Sequence, residues 1–303
     1  MITRDLSIAL KHLRQGDVIG LPTETVYGLA GNAFDANAIQ KIYSIKQRPA
    51  TNPLIVHVGS IPQAETFIKE FPEPLRRLAE AFWPGPLTLL LKKSDRIPDV
   101  VTAGSDRVAI RIPDHPITIE LLNQLDFPLV APSANPYTRI SPTNAEQVEA
   151  YFGDEIPAVL DGGPCKKGLE STIVGWENEQ VIVYRLGSLS IEKIESIVGT
   201  VSLRNQGESV QLAPGMAKKH YSPQTPILLV ANVTEYQQQH PEKRIGIFLS
   251  GEEDPEKIAP NFYARLQEMD KEGFEVLIAS YLPESGVGRT LNDRLRRAAQ
   301  DRH

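Results

Sequence analysis

The sequence predicts an α/β protein with a large domain followed by a smaller one. Over the first two hundred residues, apolar runs of strand length alternate with apolar residues at helical spacing. A polar and basic segment with two prolines and a glycine interrupts this pattern. After it, strand and helix patterns alternate regularly, which is typical of parallel βαβ units. We therefore predict domains at residues 1–206 and 226–303, joined by a linker at residues 207–225.

The helices of the large domain are predicted from apolar stripes and from the residues at their ends. The first is capped by Thr3 and ends at Gly16, and its stripe consists of Leu6, Leu10 and Leu13. The second is capped by Asn37, and its stripe consists of Ile39, Ile42 and Tyr43. Similar patterns predict helices at residues 75–82 and 191–198.

The strands are predicted from short apolar runs that lack helical spacing. In the large domain they lie at residues 18–21, 54–58, 87–91, 108–112, 129–131 and 159–160. Residues 171–176 and 180–186 form a predicted hairpin around a polar turn. In the small domain, the elements are strands at 227–230, 244–249 and 276–281 and helices at 261–269 and 290–299.

Length, composition and charge exclude several classes of protein. Of 303 residues, 41% are hydrophobic and 23% are charged, so a disordered chain, a fibre or a coiled coil is not expected. We expect no membrane span and no secretion, because there is no long apolar run and no apolar signal core at the start. The single cysteine, Cys165, fits a reducing cytoplasm. A net charge of −6 means that any contact with nucleic acid needs a local basic patch.

The common nucleotide-binding and hydrolase motifs are missing. No glycine-rich loop ends in Gly-Lys-Ser or Gly-Lys-Thr, and Gly286-Val287-Gly288 is followed by Leu291 where the dinucleotide motif needs glycine. There is no Gly-x-Ser-x-Gly elbow, and the six histidines form no pairs with metal-ligand spacing. Any nucleotide-binding site in this protein must therefore hold the phosphate groups in another way.

Two cationic side chains, those of Lys46 and Arg48, are predicted to lie close together at the end of a buried strand. Lys46 continues the apolar stripe of the second helix, so it points toward the buried side or a cleft. Arg48 follows it and is held extended by Pro49. Buried cations need an anion, and phosphate suits them because a guanidinium fork matches phosphate oxygens. The alternative for Lys46 is a lysine that complements the helix dipole.

Polar pairs follow two other predicted strands. Thr23 and Thr25 share one face if the chain stays extended after the first strand. Ser133 and Asn135 lie between prolines, which keep them out of helix and place both side chains on one side. Loops after strands often carry binding groups. An ordinary strand exit and a polar turn are the alternatives.

Charged residues near the remaining strands are further candidates. Arg107 and Arg111 share the face of their strand opposite its apolar residues, as an anion site or a solvated face. His57 sits inside an apolar strand, either as a core histidine or as a binding group. Asp161 and Glu170 are candidates for holding Mg²⁺, or are turn and surface carboxylates.

Together and in this order, these segments resemble the threonylcarbamoyl-AMP synthase family in its longer form. The signature of that family is a Lys-x-Arg and Ser-x-Asn pair, found here at Lys46 to Arg48 and Ser133 to Asn135. The resemblance covers nearly the whole chain. The resemblance also rests on residues 22–29, 52–54, 83–86, 108–113 and 171–174, Arg185, residues 214–216, His220, Tyr221 and residues 288–299.

The resemblance implies a fold and a reaction. The fold would be a YrdC-like twisted open α/β sheet domain followed by a small Rossmann-like parallel α/β domain. The reaction would convert L-threonine, bicarbonate or CO₂, and ATP to threonylcarbamoyl-AMP and pyrophosphate, with Mg²⁺, in the cytoplasm. The product would serve threonylcarbamoyladenosine formation beside the anticodon of tRNA, and a separate tRNA-modifying complex would carry out the transfer. Neither stable tRNA binding nor a membrane would be required.

The resemblance also implies roles for individual residues, while the metal ligands stay open. The residues implied in catalysis are Lys46, Arg48, Ser133 and Asn135. Those implied in ATP binding are Arg48, Asn52, Arg107, Ser133, Ser141, Arg185 and Tyr221. Those implied in threonine binding are Thr25, His57, Arg111, Ala131 and Ser171. Among these, Arg111 would pair with the threonine carboxylate.

One hypothesis concerns the linker, and two concern other functions. The linker around His220 and Tyr221 would close over the labile threonine carbamate as a lid, anchored by the small domain. A carbamoyl-adenylating enzyme of metal-centre maturation is one alternative function, but one cysteine cannot build the zinc fingers of such proteins. A non-catalytic RNA-binding module is the other, suggested by the basic helix near Arg294, for which a solvated face is the simpler interpretation.

Overall fold

A computed structural model of the chain describes residues 1–204 and 221–299. These residues form a mixed sheet of eleven strands and a separate parallel sheet of three strands, both flanked by helices, which confirms the α/β class. Most of the predicted linker, including His220, lies outside the described residues. No helix in the described ranges is long and apolar enough to cross a bilayer.

The large sheet is built from strands spread over the first two hundred residues. They are β1 (Ile2–Thr3), β2 (Ile19–Leu21), β3 (Gly28–Asn32), β4 (Ile55–His57), β5 (Leu87–Lys92), β6 (Arg107–Arg111), β7 (Leu129–Val130), β8 (Val159–Leu160), β9 (Thr172–Glu177), β10 (Gln180–Arg185) and β11 (Ser202–Leu203). Their order across the sheet is β1-β8-β2-β3-β7-β4-β6-β5-β9-β10-β11. The sequence predicted most of these strands but missed the two-residue strands β1 and β11, which are too short to give a pattern. It also missed β3, in which glycine and alanine weaken the apolar pattern.

Eight helices accompany the large sheet in the described residues. They are α1 (Leu6–Arg14), α2 (Ala36–Lys46), α3 (Ile61–Glu65), α4 (Glu73–Phe82), α5 (Asp99–Thr102), α6 (Pro116–Asn123), α7 (Ala145–Phe152) and α8 (Ile191–Val198). Two predicted caps are wrong. Helix α1 is capped by Asp5 because Thr3 belongs to β1, and α2 is capped by Asp35, whose carboxylate accepts the Asn37 N–H.

The two faces of the central strands have different roles. On one face, side chains such as Val56 and Ile110 join the main apolar core. On the other face, Ile55 and Ala109 belong to a small apolar cluster. Side chains alternate between the faces of a strand, so this second face is free to carry polar groups next to the small cluster. The predicted split of β6 into an apolar face and an arginine face is confirmed.

The small domain has the predicted alternation with two further helices. Its strands are β12 (Ile227–Leu229), β13 (Ile245–Leu249) and β14 (Val276–Ala279), all parallel and in the order β12-β14-β13. Its helices are α9 (Val233–Gln239), α10 (Pro255–Ile258), α11 (Phe262–Met269) and α12 (Val287–Ala299), with a 3₁₀ turn at Ala259–Asn261. Helices α9 and α10 were not predicted from the sequence, because they are short and have few buried residues.

The two sheets are joined by close packing around residues 168–170. Leu169 belongs to the same apolar cluster as Phe262 and Leu291 of the small domain. Gly168 precedes it with a φ of +66°, and a Cβ there would lie 2.2 Å from the carbonyl oxygen of Pro260. This glycine therefore meets two demands, a left-handed backbone and a direct backbone contact with the small domain.

A glycine pair in one loop tests this packing. We expect Gly168→Ala to lower the free energy of unfolding by about 2 kcal/mol more than Gly163→Ala, because overpacking adds to the shared backbone strain. Gly163 is the matched control, since its φ is +78° and a Cβ added there would have nothing within 4 Å. Urea unfolding of both variants measures the difference, and equal losses would contradict the close contact with Pro260.

Candidate active site

A cavity of about 50 Å³ lies on the second face of the large sheet. Strand pairing builds it, since β4 and β6 are parallel with His57 opposite Arg111 and Ile55 opposite Ala109. On the other side of β4, the Ala131 N–H donates to the Ile55 carbonyl at 3.1 Å. Three segments that are far apart in sequence thus meet at one place.

Fourteen residues line this cavity, and eight of them were predicted as site residues. The eight are Arg48, His57, Arg111, Ala131, Ser133, Ser171, Arg185 and Tyr221. Of the six others, Thr23 and Glu170 were candidates from the sequence pattern alone, and the rest are Val26, Gly28, Ile55 and Pro132. The predicted site residues that do not line it are Thr25, Lys46, Asn52, Arg107, Asn135 and Ser141.

Lys46 lies behind the wall of the cavity. Its ammonium group is buried and donates to the carbonyl oxygens of Ser133, at 2.5 Å, and of Asn135. Burial, and secondarily the charge of Arg48, lowers the pKa of Lys46 well below its usual value. Its geometric effect is to fasten the Ser-Ala-Asn turn to the end of α2, so that Ser133 is held at the cavity.

Arg48 reaches the cavity because the chain turns sharply after α2. Gln47 has a φ of +51° and ends the helix. The guanidinium of Arg48 donates to Asn52 Oδ1 at 2.6 Å and to the Pro53 carbonyl at 2.8 Å, and burial lowers its pKa to about 10. In the parts of the chain that the structure describes, neither Arg48 nor Lys46 has a carboxylate partner. Two buried cations satisfied only by neutral oxygens favour the binding of an anion.

Arg111 is paired with a residue that the sequence analysis did not single out. Its Nη2 lies 2.6 Å from Glu24 Oε1, and both side chains are buried. Glu24 stands between the two threonines that were predicted as a pair. Thr25 turns behind the wall, with its hydroxyl 2.8 Å from that of Thr23, which lines the cavity. The signal for Glu24 was a carboxylate inside an apolar stretch, since a buried carboxylate requires a cation.

His57 is neutral in this environment. Burial, and secondarily the neighbouring Arg111, lowers its pKa to about 3. Its Nδ1 lies 3.2 Å from the Ile55 carbonyl oxygen, which can only accept a hydrogen bond. Nδ1 must then carry the proton, and Nε2 is left as a hydrogen-bond acceptor.

Arg185 lies at the end of β10 and lines the cavity from the side of the β9–β10 hairpin. Its Nη2 donates to the carbonyl oxygen of Ser171 at 2.7 Å and to the Ser171 hydroxyl at 3.1 Å. The same hydroxyl lies 2.7 Å from that of Thr88. Burial lowers the pKa of Arg185. Arg185 of β10, Thr88 of β5 and Ser171, which directly precedes β9, are therefore fixed in one hydrogen-bonded group.

Comparisons with known proteins match both parts of the chain. A family model described as Telomere recombination (Sua5_yciO_yrdC) matches residues 11–187, and one described as Threonylcarbamoyl-AMP synthase, C-terminal domain, matches residues 189–300. The threonylcarbamoyl-AMP synthase of Pyrococcus abyssi is 38% identical over 97% of this chain and 94% of that protein. The one of Bacillus subtilis is 36% identical over 96% of this chain and 91% of that protein.

The chain therefore belongs to the threonylcarbamoyl-AMP synthase family. A solved relative agrees in fold along its whole length. The crystal structure of P. abyssi Sua5 complexed with L-threonine superimposes with a TM-score of 0.91, at 36% identity, over 99% of this chain and 97% of that one. The resemblance inferred from the sequence is confirmed.

In this member of the threonylcarbamoyl-AMP synthase family, most of the predicted residues outside the lining support residues within it. The Ser141 hydroxyl donates to Glu170, Asn52 accepts from Arg48, and the Asn135 N–H donates to the Ser133 carbonyl. These predicted residues are placed to hold the wall of the cavity.

Arg107 lies apart from the other predicted residues. It stands four residues before Arg111 on β6, about 13 Å along the strand. It donates to Glu177 at 2.6 Å and to the Tyr184 hydroxyl at 3.0 Å. A ligand would have to extend along the sheet face to reach both arginines.

The two carboxylates considered for Mg²⁺ are engaged with protein donors. Glu170 accepts from Ser141, Tyr263 and Arg294, and Asp161 accepts from Arg4 and from the Gly163 N–H. Within residues 1–204 and 221–299, no three His, Cys, Asp or Glu side chains are grouped so that they could hold a metal ion. These carboxylates do not fit a protein-built Mg²⁺ site.

The buried pair of Arg111 and Glu24 predicts a large loss of stability when its charge is removed. We expect Glu24→Gln to lower the free energy of unfolding by about 3 kcal/mol, because it leaves Arg111 buried without a counter-charge. The control is Glu65→Gln, which breaks an exposed ion pair with Arg76 and should change stability by less than about 1 kcal/mol. Urea unfolding of the two variants measures both values, and similar small losses would show that Arg111 is solvated.

The neutral state of His57 predicts a pH dependence of stability. Its folded pKa of about 3 lies below the unfolded value of 6.5, so its contribution is present above pH 6.5 and is lost as the pH falls toward 3. The difference in unfolding free energy between the wild type and His57→Asn should decline below pH 6.5 by up to about 1.4 kcal/mol per pH unit. Unfolding curves between pH 7 and pH 4 test this, and a constant difference would mean that the histidine is solvated.

Proposed function

We propose that this protein is an L-threonylcarbamoyladenylate synthase, which converts L-threonine, bicarbonate and ATP to threonylcarbamoyl-AMP and pyrophosphate. The observation that carries the proposal is a cavity lined by Arg48 and Arg111, with Lys46 directly behind its wall, where Arg48 and Lys46 are buried with only neutral partners. The family relationship supports it, as does the solved relative that is complexed with L-threonine.

Threonine is proposed to bind at the end of the cavity near β4 and β6. Arg111 would pair with its carboxylate, sharing its charge with Glu24. The Nε2 atom of His57 would accept a hydrogen bond from the amine or the hydroxyl group. Ile55 and Ala131 give this end an apolar wall that suits a methyl group. Ser171 and Thr25, the latter through Thr23, complete the proposed threonine site.

ATP is proposed to bind at the end of the cavity where Arg48 and Arg185 lie. Both guanidinium groups would contact phosphate oxygens, and Ser133 would donate its hydroxyl. Lys46 would add charge and hold Ser133, while Asn52, Asn135 and Ser141 would support these groups through the hydrogen bonds described above. Tyr221 would contribute its ring at the wall. Arg107 would be reached only by the far end of an extended nucleotide.

The proposed reaction proceeds in two steps. Bicarbonate supplies CO₂ by loss of hydroxide. The threonine amine attacks CO₂, a C–N bond forms as one C=O π bond opens, and the amine proton passes to hydroxide, which leaves a carbamate and water. A carbamate oxygen then attacks the α-phosphorus of ATP, an O–P bond forms, the bond to the β-phosphate breaks, and pyrophosphate leaves. Such a transfer requires positioning and charge neutralisation, which Arg48, Arg185 and Lys46 would provide.

That Mg²⁺ accompanies ATP in this reaction stays a prediction. The carboxylates of the described residues do not form a site for it, so no step is assigned to a protein-held metal. When bound to ATP, Mg²⁺ would neutralise the leaving phosphates.

The wider context of the reaction also stays a prediction. We propose that the product is passed to a separate tRNA-modifying complex in the cytoplasm and that this protein needs no stable binding of tRNA. The alternative of an RNA-binding module has lost its support. Arg294 of the basic helix is fully buried, and Arg296 pairs with Glu284 at 2.6 Å, so these residues do not form a free basic face.

The proposed domain division keeps residues 1–206 as the catalytic part and 226–303 as the small domain. The separation into an eleven-stranded and a three-stranded sheet supports it. The lid hypothesis rests on residues 207–225, of which Tyr221 lines the cavity. His220 lies outside the described residues, so its part in a lid stays a prediction.

Pyrophosphate release tests the proposed function. The wild type should release pyrophosphate from ATP only when threonine and bicarbonate are both present. Arg48→Ala should lower kcat/KM for ATP by about 100-fold, because a buried phosphate contact is lost. The measurement is a coupled pyrophosphate assay with each substrate left out in turn.

The matched control is a cation on the neighbouring helix. Lys41 is half exposed and pairs with Asp17 at 3.3 Å, so Lys41→Ala should stay within about twofold of the wild type. Pyrophosphate release that does not depend on threonine would refute the proposed reaction. Equal losses in the two variants would refute the role of Arg48.

A further inference from the structure

Glu170, a residue of the cavity wall, is held by side chains from the small domain. Its carboxylate accepts from Tyr263 Oη at 2.9 and 3.1 Å and from Arg294 Nε at 3.1 Å. Tyr263 lies on α11 and Arg294 on α12. From the large domain, the Ser141 hydroxyl donates to the same carboxylate at 2.7 Å. The position of Glu170 therefore depends on how the small domain packs.

The same two residues support a second part of the wall. The ring of Tyr221 stacks on that of Tyr263 with 5.5 Å between centroids, and the Arg294 guanidinium lies 4.8 Å from the Tyr221 centroid. Arg294 is fully buried, and its Nη2 donates to the Leu186 carbonyl at 2.6 Å. Tyr263 and Arg294 thus touch the cavity wall at two places without lining it.

Attachment of the small domain does not by itself require this polar cluster. Apolar packing already joins the two parts, since Val26, Ile140 and Leu169 share one cluster with Phe262 and Leu291. A buried ion pair adds little net stability, because desolvation of both charges offsets their attraction. The cluster of Glu170, Tyr263 and Arg294 is therefore better explained by its effect on the cavity.

We infer that Tyr263 and Arg294 are positioning residues for ATP, acting through Glu170. Glu170 holds Ser141, and the next residue in the chain, Ser171, accepts a hydrogen bond from Arg185. Ser141 and Arg185 both belong to the proposed nucleotide site, so the inference rests on the proposed function. Groups fixed in advance bind without reorganisation, and the effect should fall on ATP.

Threonine binding should be affected much less. In the part of the chain that the structure describes, Arg111 and His57 have no hydrogen bond to Tyr263 or Arg294. Ser171 is the one residue of the proposed threonine site that stands next to Glu170, and its hydroxyl is also held by Thr88. A general loosening of the fold would weaken the binding of both substrates. The ratio of the two effects therefore separates positioning from a purely structural role.

The test is Tyr263→Phe, which removes one hydroxyl and keeps the ring on Tyr221. We expect KM for ATP and the ATP Kd measured calorimetrically without threonine to rise about tenfold, as for a lost hydrogen bond to a charged group. KM for threonine should change less than twofold. The control is Tyr236→Phe, the same change on α9 of the small domain, which should leave all three values unchanged.

Two further variants keep the test decisive if Tyr263→Phe has unexpected effects on folding. Arg294→Lys keeps the buried charge and should raise KM for ATP, whereas Arg296→Lys, at the exposed pair with Glu284, should not. In a Glu170→Gln background, Tyr263→Phe should cause no further rise, because both act through one carboxylate.

The outcomes distinguish this inference from the proposed function. A folded Tyr263→Phe variant with a lower melting temperature but with KM and Kd for ATP within twofold of the wild type would overturn the positioning role. Additive effects with Glu170→Gln would overturn the route through Glu170. Absence of threonine-dependent pyrophosphate release in the wild type would instead refute the proposed function, and the calorimetric Kd for ATP would still test the two residues.

Discussion

Four cationic side chains, Lys46, Arg48, Arg111 and Arg185, are buried around one cavity, and each has to be stabilised without bulk water. Their partners differ in charge. Arg111 is neutralised by Glu24, whereas Lys46 and Arg48 meet only neutral oxygens in the described residues. Burial disfavours their charged forms, as the lowered pKa values of Lys46 and Arg48 indicate. The charge of this cavity therefore favours an anionic ligand.

The backbone around the cavity places these buried cations next to groups that stabilise them. The end of α2 delivers Lys46 to the carbonyl oxygens of the Ser-Ala-Asn turn, and the left-handed Gln47 redirects the chain so that Arg48 faces the cavity. The pairing of β4 with β6 sets His57 beside Arg111, and that arginine lowers the pKa of the histidine further. Each cation is thus held by backbone groups or by a partner from a distant segment.

The small domain contributes to the same cavity from outside its wall. Residues 168–170 of the large domain pack against the small domain, and the backbone of Gly168 lies close to that of Pro260. Glu170 then collects hydrogen bonds from both domains. Since this carboxylate stands next to Ser171 and Arg185, changes in domain packing are transmitted to the side of the cavity where the nucleotide is proposed to bind. The two domains of this chain therefore pack as one structural unit around the cavity.

The sequence by itself determined the α/β class, most strands, the family and eight residues of the cavity wall. The class and the strands follow from local patterns, as do the stripe that buries Lys46 and the alternation that places Arg111 opposite the apolar face of β6, whereas most of the wall residues follow from the family resemblance. Only the tertiary structure decided which residues stand side by side. The pairing of Glu24 with Arg111, the position of Lys46 behind Ser133 and the link from Arg294 to Glu170 all join segments 87 to 124 residues apart. Spacing along a chain fixes the direction of a side chain, but lateral neighbours depend on strand register and domain packing, which local patterns do not encode.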